Sequence, residues 1–289
     1  MLGLSGAVWL PFLGAALHPL LGWCVQRGSA GGVRLGAIVG IANLITATIF
    51  IAYLRPEFDL RLVGKDWWAV GNGLLFFLGQ WFSIQSVKSG DLAVHSSALG
   101  IKVVIVAFFS MLVGLEMSSF GLVVGVVLAV LAVFLVAGGS IEGWRIHRQT
   151  VGLTLVACLF FGTNDFLTGW QAQSVGTGRW MCLMIGTSGL VSLGFVFRRR
   201  ESFVLMKKEP ILGIVVLGAG LALGLPSLWV NIAFSEYQQP TLSNVVYSSR
   251  GVMAVLFLML IGKKADHQFR GRQAGGAVLM VVALIIVLL

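Results

Sequence analysis

Residues 211–233 read ILGIVVLGAGLALGLPSLWVNIA, 23 positions without one charged side chain. A helix rises 1.5 Å per residue, so about 20 apolar residues cross the hydrocarbon of a bilayer, and this run is long enough. It is not alone. The whole chain of 289 residues is 57% hydrophobic and only 11% charged, with a mean hydropathy of +0.94. Ordinary soluble domains carry about 25% charge, so composition excludes a soluble enzyme and a disordered binder. The reading is an all-α polytopic membrane protein.

Outward from 211–233, apolar runs broken by charge clusters or Pro/Gly turns predict ten spans. They fall at about 4–24, 35–54, 67–87, 92–114, 121–139, 151–173, 180–197, 211–233, 240–262 and 273–289. All are expected to be helices, because a chain in hydrocarbon must satisfy its own backbone hydrogen bonds. The alternating ~10-residue strands of an outer-membrane barrel are absent from the pattern. Met1-Leu2-Gly3-Leu4 lacks the basic start of a signal peptide, so the first run counts as a true span. Cys24, Cys158 and Cys182 lie in apolar runs without metal or disulfide spacing, and neither a metal nor a cofactor is expected.

Laid over one another, residues 1–139 and 151–289 match at a near-constant shift of about 146 to 150. Gly22-Trp23 falls over Gly169-Trp170, which sets His18 over Asp165; Gly40 falls over Gly186 and Leu44 over Leu190. Trp81 lies over Trp229, Ile84 over Ile232 and Gly114 over Gly262, and Lys102 meets Arg250. Gly121 and Gly125 close the series over Gly271 and Gly275. A repeat of five spans is odd in number, so the second copy enters the membrane upside down. Such an inverted repeat favours alternating access by one half rocking on the other.

Two stretches carry a family likeness. Residues 86–116, SVKSGDLAVHSSALGIKVVIVAFFSMLVGLE, and residues 240–264, PTLSNVVYSSRGVMAVLFLMLIGKK, resemble the fourth and ninth spans of the ten-helix drug/metabolite transporter superfamily, EamA type. The likeness covers essentially the whole chain. It departs from the pattern in two ways: Glu116 closes the first stretch but Lys263-Lys264 stands at the second, and Lys102 and Arg250 stand near the usual mid-span proline. What the resemblance implies is two five-helix halves, 1–139 and 151–289, and carriage of a small metabolite across a cell membrane.

The net charge of +9 sits between the spans, where bases orient helices against the membrane, so no nucleic-acid partner is expected. Numbered in order, the loops place 14 of the 20 Lys and Arg on one side and 4 on the other, with Lys102 and Arg250 in the membrane. Positive-inside reasoning puts the 14 in the cytoplasm and both termini outside. The resemblance implies both termini inside.

Few ionisable groups remain in the bilayer. Asp165, Lys102 and Arg250 lie well inside predicted spans, where a charge costs at least ~2.5–3.5 kcal/mol, and His18 joins them. One expectation is a structural ion pair between Asp165 and one of the cations, leaving the other over. The second is a polar central cavity whose extra positive charge binds a carboxylate or phosphate, with Asp165 and His18 positioning the cations or exchanging a proton. Polar neighbours at helical spacing extend the candidate set: His95, Tyr247, Ser227, Asn231, Gln80 and Trp81. Asn43 and Asn72 read as packing residues, as such side chains often do between membrane helices. Gly36/Gly40, Gly121/Gly125, Gly220/Gly224 and Gly271/Gly275 read as sites of close helix approach, within one chain or between copies in a homo-oligomer. Pro226, and Pro11 and Pro19 in the first span, read as kinks or hinges.

No phosphate-binding loop and no hydrolase constellation is recognisable, so the sequence reads as no enzyme. The leading expectation is a secondary transporter of a small polar metabolite, anionic or zwitterionic, in the inner or plasma membrane. It would be driven by a proton gradient or exchange. The alternative is a membrane-embedded enzyme acting on a lipid-linked substrate through Asp165, Arg250 and His18.

Overall fold

The computed structural model describes residues 2–54, 62, 64–89, 92–115, 119–136, 148–198 and 200–261, and those between 275 and 286 apart from 277 and 284. Glu116, Gly262, Lys263, Lys264, Gly271 and residues 137–147 lie outside the described residues. The chain is all-helical, with no strand among the described residues.

Seven helical segments are long and apolar enough to cross a bilayer: Gly6–Ala30, Leu35–Leu54, Val94–Leu112, Arg148–Val175, Thr177–Phe197, Pro210–Tyr237 and Pro240–Leu260. In chain order the helices are α1 (Leu2–Ala30), α2 (Leu35–Leu54), α3 (Asp66–Ser89), α4 (Leu92–Ala98), α5 (Lys102–Leu112) and α6 (Phe120–Val136). After them come α7 (Arg148–Val175), α8 (Thr177–Phe197), the short α9 (Arg200–Lys208), α10 (Pro210–Tyr237), α11 (Pro240–Tyr247) and α12 (Arg250–Leu260). The described residues between 275 and 286 are helical too. Helix α3 falls outside the seven because Asn72, Gln80, Ser83 and Ser86 lower its hydropathy. All four are buried, so its polar side faces protein and not lipid.

Two of the predicted spans are interrupted near their centres in their α-type hydrogen bonding only, the backbone staying right-handed helical throughout. The fourth passes from α4 through a single 3₁₀ turn, Leu99–Ile101, into α5. The ninth turns at Ser248 and Ser249 between α11 and α12. Lys102 is the first residue of α5 and Arg250 the first of α12. The broken spans lie together in opposite senses: α4 packs against α12 and α5 against α11. The breaks touch, with Ser248 Oγ 3.5 Å from the carbonyl oxygen of Gly100. At its far end α5 closes on Gly114, whose φ of +67° is the left-handed conformation that glycine adopts without a Cβ clash. There Leu115 N–H donates to the Ser110 carbonyl at 2.9 Å and Gly114 N–H to that of Met111 at 3.2 Å.

Around this centre the long helices pair in a matched way. Helix α1 packs along α10, and α3 along α7; α2 lies against α8 and α10, and α3 against α8. Close approach depends on small residues, because helices in lipid gain little from apolar burial and rely on packing. A Cβ on Gly73 of α3 would stand 2.2 Å from the Met184 carbonyl oxygen of α8. One on Gly40 would meet Val196 at 2.5 Å, and one on Gly224 would stand 3.2 Å from Thr46 Cα. Gly40, Gly220 and Gly224 thus sit at contacts between helices, as their spacing suggests. Outward faces remain apolar: Leu190 is 70% exposed, Ile211 75% and Phe120 87%. Pro11 and Pro19 lie within α1 and Pro226 within α10, each helix continuing through its prolines.

Candidate functional site

Where the two breaks meet the long helices there is a small hollow of about 50 Å³. Its polar lining is His18 of α1, Gln80 and Ser83 of α3, Lys102, Asp165 of α7, Ser227 and Asn231 of α10, Tyr247 and Arg250. Phe76, Phe161, Leu223 and Val230 supply much of its apolar wall. Each long helix reaches the hollow near mid-length, so the polar groups stand far from both helix ends.

The charges are arranged unequally. Lys102 Nζ forms an ion pair with Asp165 Oδ2, and the two side chains are 5% and 6% exposed. Asn244 of α11 stands beside the Asp165 carboxylate, its Nδ2 donating to the Pro240 carbonyl at 2.9 Å. The Lys102 ammonium is ringed by aromatic faces, 5.1 Å from the Tyr247 centroid and 5.9 Å from those of Phe161 and Phe234. Such faces attract a cation through the ring quadrupole.

Arg250 has no carboxylate among its described partners. Its guanidinium lies 4.5 Å from the Tyr247 centroid and hydrogen-bonds that side chain. Its Nε and Nη2 groups have no acceptor among the described residues, although the residue is only 2% exposed. Guanidinium cannot shed its proton in a protein, and a buried donor without an acceptor is costly. With Lys102 neutralised by Asp165, the hollow keeps one positive charge and two N–H-bearing nitrogens unmatched. That set fits the forked oxygens of a carboxylate or phosphate.

Tyr247 ties the cations to His18. Its hydroxyl lies 3.2 Å from His18 Nδ1, and the rings meet edge to face with centroids 5.9 Å apart. The residue thus touches α1, α5 and α12 at once, which neither its sequence neighbours nor its spacing indicate.

Of the ten residues picked from the sequence, His18, Gln80, Lys102, Asp165, Ser227, Asn231, Tyr247 and Arg250 line this hollow. His95 does not; it stands behind Ser83, with Nε2 3.2 Å from the Ser83 hydroxyl. Trp81 points elsewhere, packing on Phe77 and Phe195 with centroids 6.5 and 5.0 Å away and facing a separate cleft with Leu35, Gln85 and Lys88. One residue along a helix turns the side chain by about 100°, so Gln80 and Trp81 cannot share a face. Ser83 and Asn244 were not among the ten. Asn244 lies three residues before Tyr247 in α11, a spacing that puts it on the same side.

Two further polar groups belong to packing. Asn72 Nδ2 donates to the Asn164 carbonyl at 3.3 Å and to Thr168 Oγ1 at 3.1 Å, and Asn164 Nδ2 returns a bond to the Asn72 carbonyl at 3.2 Å. This reciprocal pair joins α3 to α7. Cys158 faces the break of the fourth span, its thiol 3.4 Å from the Ala98 carbonyl.

No protein-family model and no curated protein matches the chain. Among solved structures, one described only as "Crystal structure of protein" is similar over 97% of this chain and 96% of its own, with a TM-score of 0.67 and 16% sequence identity. At that identity the likeness shows a shared fold.

Proposed function

We propose that this chain is a secondary transporter of a small polar metabolite with an anionic group, working by alternating access in a cell membrane. The observation that carries it is the buried Arg250 guanidinium in the wall of the central hollow, its Nε and Nη2 without an acceptor among the described residues while Asp165 is engaged by Lys102. A charge kept at mid-membrane without a fixed partner is costly unless a ligand meets it. Transport also accounts for the position of the hollow, since a carrier must be reached in turn from both faces.

In this reading α3, α6 and the helical residues between 275 and 286 join the seven longer segments to make ten spans. The halves 1–139 and 151–289 form the inverted repeat of a drug/metabolite transporter. Four pairings support it: α1 with α10 answers α3 with α7, and α2 with α10 answers α8 with α3. So does the occurrence of a helix break just before both Lys102 and Arg250. Arg250 binds the anion, Lys102 and Asp165 hold the field around it, and His18 with Tyr247 orients the guanidinium.

The test is uptake or efflux by Arg250→Ala and Asp165→Asn variants that reach the membrane in normal amount. Both should lose transport. Undiminished transport by both would remove these residues from the mechanism. A defined product formed from lipid extract by purified protein, without vesicles, would favour an enzyme.

A further inference from the structure

Behind the hollow lies a hydrogen-bond cluster that fixes what Ser83 can do. His95 is 1% exposed, with Nδ1 3.0 Å from Ser86 Oγ and 3.1 Å from Thr154 Oγ1, and Nε2 3.2 Å from Ser83 Oγ. Ser86 Oγ, Thr154 Oγ1 and the Thr150 carbonyl oxygen form a closed triangle. Its sides are 2.9 Å from Ser86 to the carbonyl, 2.7 Å from Thr154 to the carbonyl and 2.7 Å between the hydroxyls. Two hydroxyl hydrogens can serve only two of these three contacts, so the cluster, with its two further contacts to the ring, gains another hydrogen bond when the imidazole supplies the hydrogen. Nδ1 is therefore the donor toward this pair. A neutral ring with its hydrogen on Nδ1 has a lone pair on Nε2, and the Ser83 hydroxyl must donate to it. With that hydrogen used, the Ser83 oxygen offers only lone pairs to the hollow.

Asn231 reaches the same state by another route. Its Nδ2 donates to the Ser227 carbonyl at 2.8 Å, which settles which end of the amide is nitrogen. Its Oδ1 has no partner among the described residues, and the residue is only 3% exposed. The hollow thus combines unmatched donors on Arg250 with two acceptors on separate helices. An anion bearing only acceptors would satisfy Arg250 and leave Ser83 and Asn231 facing its lone pairs. A site built to accept a hydrogen bond rejects ligands that lack the donor.

We propose that Ser83 is a ligand-binding residue held as an acceptor by His95. With Asn231 it selects, among small organic anions, those carrying an O–H or N–H donor beside the charged group. His95 is then a positioning residue, acting through Ser83. The inference rests on the reading of Arg250 as the anion site.

The experiment has two arms, both on the full purified chain in detergent. In the first, nitrogen-15 spectra of the histidines, assigned with His95→Asn, should show His95 hydrogen-bearing at Nδ1, with an Nε2 signal that moves in Ser83→Ala. A hydrogen on Nε2 overturns the proposal whatever the ligand. In the second, thermal shift measures binding of propionate, lactate and alanine, matched at three carbons. Lactate or alanine should bind about tenfold more tightly than propionate. Ser83→Ala combined with Asn231→Leu should cut the preference for lactate and alanine over propionate to within about twofold, whereas a merely structural role of Ser83 would weaken all three acids alike and keep the preference. Equal binding of all three by the unaltered protein overturns the selectivity. No binding of any acid, or equal binding by Arg250→Gln, defeats the anion site and the inference with it.

Discussion

Consider Asp165→Leu. In the native protein the Asp165 carboxylate and the Lys102 ammonium face each other with side chains 6% and 5% exposed, so neither has water to fall back on. Removing the carboxylate leaves a buried ammonium beside aromatic faces that were already in place. Breaking such a pair costs about 3–5 kcal/mol, whereas replacing both members by apolar groups of like volume is neutral or stabilising by up to about 4 kcal/mol. The double variant Lys102→Met with Asp165→Leu should therefore unfold near the native midpoint, though each change alone is destabilising. The assay is a double-mutant cycle on purified protein, unfolded in mixed detergent and followed by tryptophan fluorescence. It should give a coupling of about 3 kcal/mol or more. The double variant should also be well folded yet fail to transport, separating the role of the charges in stability from their role in function. If the two changes add within about 0.5 kcal/mol, as distant sites do, the pair is not coupled and the reasoning is refuted.

Other predictions are smaller in scope. Gly73→Ala places a Cβ 2.2 Å from the Met184 carbonyl oxygen and should cost about 1–3 kcal/mol in unfolding experiments. Gly71→Ala, where nothing lies within 4 Å, should instead stabilise α3 by about 0.5–1 kcal/mol. Tyr247→Phe keeps the ring beneath both cations but removes the hydroxyl at His18 Nδ1, so ligand affinity in a thermal-shift titration should fall by about 0.5–1.5 kcal/mol. Trp81→Phe preserves packing on Phe195 away from the hollow and should leave transport rate within about twofold of native. A larger loss would return Trp81 to the pathway.

Much of this was legible in the sequence, for identifiable reasons. Apolar runs end where charges begin, so the limits of α2 at Leu35 and Leu54 match the expected 35–54. Charges are expensive in hydrocarbon, so Lys102, Asp165 and Arg250 stand out one by one, and the structure gathers them at one hollow. Which cation takes Asp165 was not legible, because the choice depends on how α5, α7 and α12 cross. The helix breaks before Lys102 and Arg250 were hidden for another reason. Hydropathy measures transfer from water and is blind to whether an apolar run keeps its helical hydrogen bonds. Ser248 and Ser249 hinted at the second break, but Leu99–Ile101 carries no such sign. Trp81 follows Gln80 in the sequence, but helical rotation turns it about 100° away, onto Phe77 and Phe195. The sequence groups Ser83 with Gln80 and Trp81 in one span, but only the triangle of Ser86, Thr154 and the Thr150 carbonyl reveals its hydrogen-bond state.

The most direct measurement compares metabolites inside and outside cells that make either the native protein or Arg250→Ala at equal membrane abundance. The account predicts that at least one small organic anion shifts between the two compartments with the native protein and does not with the variant. Identical pools in both strains, or an equal shift with Arg250→Ala, would contradict it.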